Sequence, residues 1–544
     1  MSGADVIVVG AGHNGLVCAC YLARAGLEVE VVEAAAEPGG CIATAELPDR
    51  RGRLELGAYE HGGIVGTGVA AELELEQRFG LDLHMREELV LAPSEDGSAL
   101  AFWSSLERTV EGLAEVVGRD QAAAYERFAG WAQAVMALLR QSEAGPPPTL
   151  RELAAVADAG LGAQGARMVQ TLLASSRAVT GAAFTDDRLR GVLDHWAARG
   201  LQPPDEPGSA AGALHLAAGH GGLAARPAGG SRATIDALVR CLEASGGRLR
   251  CGAAVERIVV EGSRATGVVA GGELRSARRA VVSAIDARRV FGRLVEPRHV
   301  PSRLRAELSH IHVGEHNASD LKVDAVVEGL PQLPGPAGFE RALVVSPNGA
   351  RDLSRSFAQI RLGELPDAPP LMIGFPSALE DGWAPPGRHV VWILAPVPWR
   401  LRAGGWTPAA LERAADMVWA AAERRLGGPM PVVERSVLGP EDWRSRTGNE
   451  TGNHNHLDMS LDQLLGNRPT PSLARYRTPV AALFLTGAGT HPGGGVTGAP
   501  GRNAAGAVLE ELGIRRGSRG ARLRARIALM RDAARAARAL MRAT

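Results

Sequence analysis

Gly10, Gly12 and Gly15 stand as G-x-G-x-x-G between an apolar β-branched run, Asp5–Val9, and an amphipathic stretch, Asn14–Ala25. In that setting the first glycine permits a tight turn, the second lets backbone approach a pyrophosphate, and the third lets helix and strand pack. The phosphates then meet the free N–H groups of a helix N-terminus. The backbone of Gly10, Ala11, Gly12, His13, Asn14 and Gly15 is therefore expected to hold a dinucleotide. Glu33 follows Gly15 by 18 residues and closes the next apolar run. A carboxylate there accepts from ribose hydroxyls and repels a 2′-phosphate, which disfavours NADP and leaves NAD and FAD. Gly39-Gly40 supplies a second flexible backbone segment, better suited to a long resident cofactor than to a coenzyme that leaves every turnover.

Groups able to move a proton are few. His454, His456 and Asp458 crowd the polar run GNHNHLDMSLDQ, and Glu60-His61 occurs in ELGAYEHGGI. Either set can face the reacting end of a cofactor, or can simply close a hydrogen-bonded loop or turn. An H-x-H pair without a placed third ligand is a weak metal site, and no metal is expected.

The elements around these residues read as follows. Asp5–Val9, Asn14–Ala25 and Glu28–Glu33 make a strand–helix–strand unit of parallel type. Far downstream, Gly229-Gly230-Ser231 precedes a helical pattern closed by Gly246-Gly247. Arg248–Val260, Thr266–Val269 and Ala280–Ala284 then read as strands. Near the end, LFLTGAGTHPGGGVTGAPGRNAAGAVLEEL reads as strand, glycine-rich loop and a helix from about Gly501 to Leu512. Between these pieces, Ser104–Leu201 is helical in pattern, broken by GPPP at 145–148. Val313–Leu438 mixes strands with one helix, Pro408–Arg425.

At 544 residues the chain exceeds one core. The expected class is α/β: a Rossmann-like nucleotide-binding domain built from discontinuous segments, a mixed β-sheet substrate domain and a helical cap. The expected boundaries are 1–103, 215–292 and 441–513 for the nucleotide domain, 104–214 for the cap, 293–440 for the substrate domain and 514–544 for a terminal helix. With 45% apolar and 22% charged residues and a formal net charge of zero, the chain reads as soluble and globular, and nothing global argues for nucleic acid. Five cysteines without metal or disulfide spacing suit a reducing cytoplasm.

Three blocks carry a family resemblance: GAGHNGLVCACYLARAGLEVEVVEAAAEPGG, GGSRATIDALVRCLEASGGRLRCGAAVERI, and LFLTGAGTHPGGGVTGAPGRNAA preceded by HNHLDMSLDQLLGNRP. In these the chain resembles the phytoene desaturase-like flavoproteins, a group that includes retinol saturase and carotenoid isomerases. The resemblance implies FAD, with its pyrophosphate on Gly10–Gly15 and its adenosine ribose at Glu33 and Ala34. It also implies a ribityl region near Gly39, Gly40, Cys41 and Ile42, and adenine against backbone at Val255. The flavin arm and ring would then lie along Gly487–Val496, including Gly487, Ala488, Gly494, Gly495 and Val496. Two family features are missing: no Arg follows the double glycine before Arg50, and Ala488-Gly489 stand where Gly-Asp is familiar. Backbone N–H groups and water are expected to bind that part of the cofactor instead.

The implied activity is hydride transfer between flavin and an apolar polyene or related hydrophobic substrate, in desaturation, saturation or isomerisation. An amine oxidase-like flavoenzyme acting on a C–N bond is the alternative on the same fold, and a non-catalytic flavin-holding scaffold the third reading. From Arg515 onward the chain carries ten Arg against one Asp, with Leu523, Ile527, Met530, Ala534, Ala537 and Met541 at helical spacing. That basic amphipathic helix suits peripheral contact with an anionic membrane face, a partner, or its own protein.

Overall fold

The computed structural model describes residues 3–47, 52–221, 224–346, 349–449 and 451–514. The basic segment from Arg515 onward lies outside the described residues.

Ala4–Val9 is the keel of the nucleotide domain. Its residues alternate between two cores, as the two-residue period of a strand requires. Val6 and Val8 face a cluster with Leu16, Val17, Ile235, Leu238 and Val508, whereas Ile7 and Val9 face Ile258, Phe291, Leu304 and Leu473. It pairs in parallel with Val29–Val32 on one side (Val8↔Val31) and with Glu273–Ser283 on the other (Val8↔Val282). Leu483–Leu485 extends the sheet in parallel from Val281. The helices His13–Arg24, Arg232–Ala244 and Ala499–Glu511 cover one face. Strands from three remote parts of the chain thus share one sheet.

The second sheet runs in the order 432–438, 318–327, 389–398, 371–374, 343–346, 88–93, 99–103. Leu321, Val323 and Ala325 pack against the helix Pro408–Leu426. On the sheet's other side Leu100, Phe102, Val345, Met372 and Trp392 meet the helical cap, formed mainly by Leu106–Val117, Arg119–Ser142, Gly165–Leu173, Asp187–Ala197 and Ala210–Ala217. The GPPP break is pinned to the last helix: the Gly145 N–H donates to Asn503 Oδ1 (2.9 Å) and Tyr476 Oη donates to the Gly145 carbonyl (3.1 Å).

Three expectations from sequence are corrected. Arg248–Val260 is two strands, not one: Arg248–Arg250 lies parallel to Val29–Val32, and Val255–Glu261 begins an antiparallel meander. The break falls where Gly252 N donates to the Ala35 carbonyl (2.8 Å) and Ala253 N to the Glu33 carbonyl (2.9 Å). The strand read as Ala280–Ala284 is the long Glu273–Ser283. Glu88–Pro93 and Ala99–Trp103, placed by sequence in the 1–103 segment, belong to the second sheet through Leu343↔Val90. An apolar run buries equally well in either sheet, so only its pairing partner decides.

Gly15 fixes how closely the first helix sits on its strand, since a Cβ there would run into the Gly10 carbonyl oxygen. Gly15→Ala is expected to destabilise the fold by ~3 kcal/mol or more. Soluble yield and the thermal unfolding midpoint check this; an unchanged midpoint contradicts it.

Candidate active site

The turn at the first helix is built to be approached. Gly10 takes a left-handed φ of 97° and donates to the Val32 carbonyl (2.8 Å), bending the chain sharply. Gly12 caps the helix in extended conformation (φ −65°, ψ 161°) with no side-chain cap and no acid in the first turn. A Cβ on Gly12 would meet nothing within 4 Å. Its missing side chain therefore leaves room over the helix N-terminus rather than relieving a clash. The Gly39 N–H donates to the Ala11 carbonyl (3.0 Å) and Gly40 lies over Gly12, so the double-glycine segment runs alongside the turn. Glu33 Oε2 accepts from Ala11 N (2.6 Å) and Oε1 from Ala35 N (2.9 Å), which sets its carboxylate at the end of the strand, with Ala34 exposed beside it. The Gly252–Ala253 turn that leads to Val255 is held to Glu33 and Ala35.

The C-terminal glycine block arrives at the same place. Gly487 packs on the Ala284 carbonyl, with Ala488 buried next to it. A Cβ on Gly494 would collide with Asn455 Oδ1. The Gly495 carbonyl oxygen lies 3.2 Å from His13 Nε2, and the Val496 carbonyl presses on Gly63 beside His61. Gly10–Gly15, Gly39–Cys41, the His61 turn and Gly487–Val496 thus border one groove.

Polar atoms with no protein partner gather here: Asn14 Oδ1, His61 Nε2, Ser283 Oγ, His456 Nδ1 and Thr486 Oγ1. Buried polar atoms are almost always paired, so this set fits a dinucleotide rich in hydroxyls, phosphate oxygens and ring nitrogens. Burial pushes the His13 imidazole down to about 4. Burial, with His13 close by, pushes His61 down to about 3. His456 is lowered too, by burial first. The histidines lining the groove are therefore neutral near pH 7.

The expected acid/base residues separate. Asp458 is committed to a loop: its carboxylate accepts from Gly314 N (2.8 Å), Glu315 N (3.0 Å), Asn453 Nδ2 (3.1 Å) and His312. Burial would raise its carboxyl, but His312 and the two backbone donors outweigh burial and hold it low. Glu60 pairs with the buried Arg86. His61 is fully buried and shares a 2.8 Å hydrogen bond with Thr234 Oγ1. His456 (φ 68°) lies against Gly487 and Gly489. His454 points its Nδ1 at the second sheet, 3.1 Å from Asp320 Oδ2. Among the described residues no group of three or more His, Cys, Asp or Glu is placed to hold a metal ion.

A family profile described as an NAD(P)-binding Rossmann-like domain matches residues 8–61. The mouse pyridine nucleotide-disulfide oxidoreductase domain-containing protein 2 is 30% identical over 93% of this chain and 94% of its own. The hydroxyneurosporene desaturase of Cereibacter sphaeroides is 30% identical over 94% of this chain and 98% of its own. The chain belongs to the phytoene desaturase-like family of flavin oxidoreductases. Its fold is also that of a solved oxidoreductase from Methanosarcina mazei (TM-score 0.59, 16% identity, 93% of this chain and 99% of that one).

Sequence reasoning missed several residues that this phytoene desaturase-like chain places at the groove. Arg468 is fully buried and donates to the carbonyls of Asn455, Leu457, Asp458, Gln463 and Ala488, so it ties the HNHLD segment to the glycine block. Asp320, Lys322 and Asp324 alternate along Ala318–Val327, opposite the face packed on Pro408–Leu426. Burial pushes the Lys322 ammonium down and the Asp324 carboxyl up to about 6, and their mutual ion pair opposes both shifts. The signal was present as D-x-K-x-D, which reads equally well as a solvated strand face. Among the described residues no helix is long and apolar enough to cross a membrane.

Gly12→Val is expected to leave the unfolding midpoint of the flavin-free protein within about 2 °C, because nothing crowds that position, yet to weaken flavin binding at least ~10-fold. Equilibrium dialysis against flavin and a thermal melt together check this. A second expectation concerns His312, whose imidazole is pushed up to about 9 by the Asp458 hydrogen bond, against burial and with help from Asp462. Such a group stabilises the fold fully below about 6.5 and loses that contribution as pH climbs through about 9. The wild-type melting midpoint should therefore decline over that window, and His312→Gln should flatten the decline. Equal slopes in the two proteins would contradict it.

Proposed function

We propose that the chain is an FAD-dependent oxidoreductase that transfers hydride to or from an apolar polyene or a related hydrophobic substrate. The observation that carries the reading is the bare Gly12 helix N-terminus, bordered by orphaned polar atoms and faced by the glycine block from the far end of the chain. FAD suits the groove better than NAD, because backbone from two remote segments borders the turn, as for a cofactor that stays. The Glu33 carboxylate is poised at a ribose position and repels a 2′-phosphate.

Flavin, when bound, supplies the hydride acceptor or donor. The chain's own residues do the rest. Gly12–Gly15 offer the N–H groups of the first helical turn to the diphosphate, since those of Gly10 and Ala11 are already committed to Val32 and Glu33, and the neutral His13, His61 and His456 offer hydrogen bonds without adding charge. The cap is built around an apolar core that includes Phe128, Trp131, Met136, Met168 and Leu214, in keeping with an apolar substrate. Orientation by an apolar surface supplies much of the rate where a substrate offers little to hydrogen-bond.

The amine reading is weaker on this geometry. An aromatic cage would need free ring faces, and the rings nearest the second sheet are already taken. Arg226 lies 4.3 Å from the Tyr59 ring centroid and 4.5 Å from that of Trp383, and Lys322 lies 5.3 Å from that of Trp392.

The purified full chain is expected to be yellow, to release FAD on denaturation, and to bleach under anaerobic conditions with hydroxyneurosporene. Peroxide release with primary amines and none with polyenes would favour the amine reading. A flavin that no polyene or amine reduces, and whose reduced form no polyene reoxidises, would favour a scaffold. Colourless protein that cannot be reconstituted with FAD would overturn the proposal.

A further inference from the structure

The geometry points to His454 as the residue that accepts the substrate proton, with Asp320 as the positioning residue that fixes its tautomer. The inference rests on the hydride reaction proposed above. Taking two hydrogens from a carbon–carbon bond removes one as hydride, with its electron pair, to the oxidised flavin. The other leaves as a proton, and the electrons of its C–H bond become the new π bond. That proton needs a neutral base whose lone pair lies beside the groove.

His454 Nδ1 lies 3.1 Å from Asp320 Oδ2, and Nε2 lies 3.4 Å from Asn455 Nδ2. A carboxylate only accepts and an amide NH₂ only donates, so Nδ1 carries the proton and Nε2 keeps the basic lone pair, which accepts a long 3.4 Å hydrogen bond from Asn455 that the substrate proton replaces. The same Asn455 amide occupies the space over Gly494, so Nε2 stands next to the C-terminal glycine block. The Asp320 charge also acts on Cys41, just past the double glycine, helping burial to push that thiol up. The dyad therefore sits where the two halves of the groove meet the second sheet.

Its neighbours set it apart from a structural pair. The His454 side chain is 33% exposed while that of Asp320 is 9% exposed, and Asn453, Asn455 and Asp458 are buried. The loop is already held by the four donors to Asp458 and by Arg468, so His454 is not needed to close it. The other titratable or charged groups around it are Lys322 and Asp324 further along the strand, Cys41, Arg446 beside the Gly40 carbonyl, and His456.

The test uses the flavin-loaded full chain with hydroxyneurosporene in detergent micelles, following anaerobic flavin bleaching across pH. General-base removal is expected to cost ~100-fold or more. His454→Gln should show that loss in kcat with KM within about 3-fold, keep its flavin, and lose the acid limb of the pH profile. Asp320→Asn should lose nearly as much, because an amide facing Nδ1 moves the proton to Nε2, and Asp320→Glu should recover most of the rate. Nitrogen-15 histidine NMR, which needs no substrate, should show the Nδ1–H tautomer for His454 in the wild type and the Nε2–H tautomer in Asp320→Asn. A wild-type rate and pH profile in His454→Gln would overturn the proposal while leaving the hydride reading intact, as would a wild-type Nε2–H tautomer. If His454→Gln fails to hold flavin, Asp320→Asn decides: wild-type rates there overturn the proposal, and a flipped tautomer with lost rate supports it. If the wild type bleaches with no polyene, the hydride reading fails, and the proton-transfer role with it.

Discussion

Everything at the groove depends on how closely the first and last helices cross. Gly501, one turn into the last helix, lies against the Asn14 carbonyl and the Cys18 amide of the first, and a Cβ there would strike that carbonyl. Because the contact is backbone on backbone, the loop leading into the last helix cannot drift. It places the Gly495 carbonyl at His13, 482 residues earlier in sequence, and the Val496 carbonyl at Gly63. Arg502 secures the crossing by donating to the Thr67 carbonyl (2.7 Å) and to Glu72 (3.0 Å). Side chains between the helices would push the loop outward by roughly their own thickness, since packed interiors do not absorb extra volume softly.

That close crossing explains which parts of the structure were legible in the sequence. Contacts of this kind demand glycine at fixed places, and glycine spacing is a local signal. The opening turn, the double glycine and the C-terminal block could therefore be read directly, and the strand–helix–strand unit followed from hydrophobic period alone. Pairing is not local. Glu88–Pro93 and Ala99–Trp103 are as apolar as the strands of the nucleotide sheet, and only their partner Leu343–Ser346, some 250 residues away, assigns them to the other. The break inside Arg248–Val260 was hidden for the same reason, since the hydrogen bonds that divert it come from Glu33 and Ala35.

The chemistry-bearing residues divide likewise. His454, His456 and Asp458 were visible because polar residues cluster in one run, but their separate fates depended on what each met. Asp458 found four donors, His456 found the Gly487 turn, and His454 found Asp320. Asp320 itself could not be singled out, because a charged residue alternating with apolar ones ordinarily marks a face in water. Here both faces of the strand are buried, every residue of Ala318–Val327 included.

Burying Asp320, Lys322 and Asp324 on one strand face carries a desolvation cost of several kcal/mol per ion, which pairing offsets only in part. A site that merely gripped a hydrocarbon would be better served by leucines there. The charges are confined to the face opposite the helix Pro408–Leu426, while the core of the cap holds Phe128, Trp131, Met136 and Leu214. On the proposed hydride reaction the labour would divide along one substrate: apolar surface to hold its body, and polar wall beside the point where hydrogen leaves. Aligning a polyene requires only the first. Removing a proton from carbon requires the second, a polar group held at a fixed place beside the C–H bond.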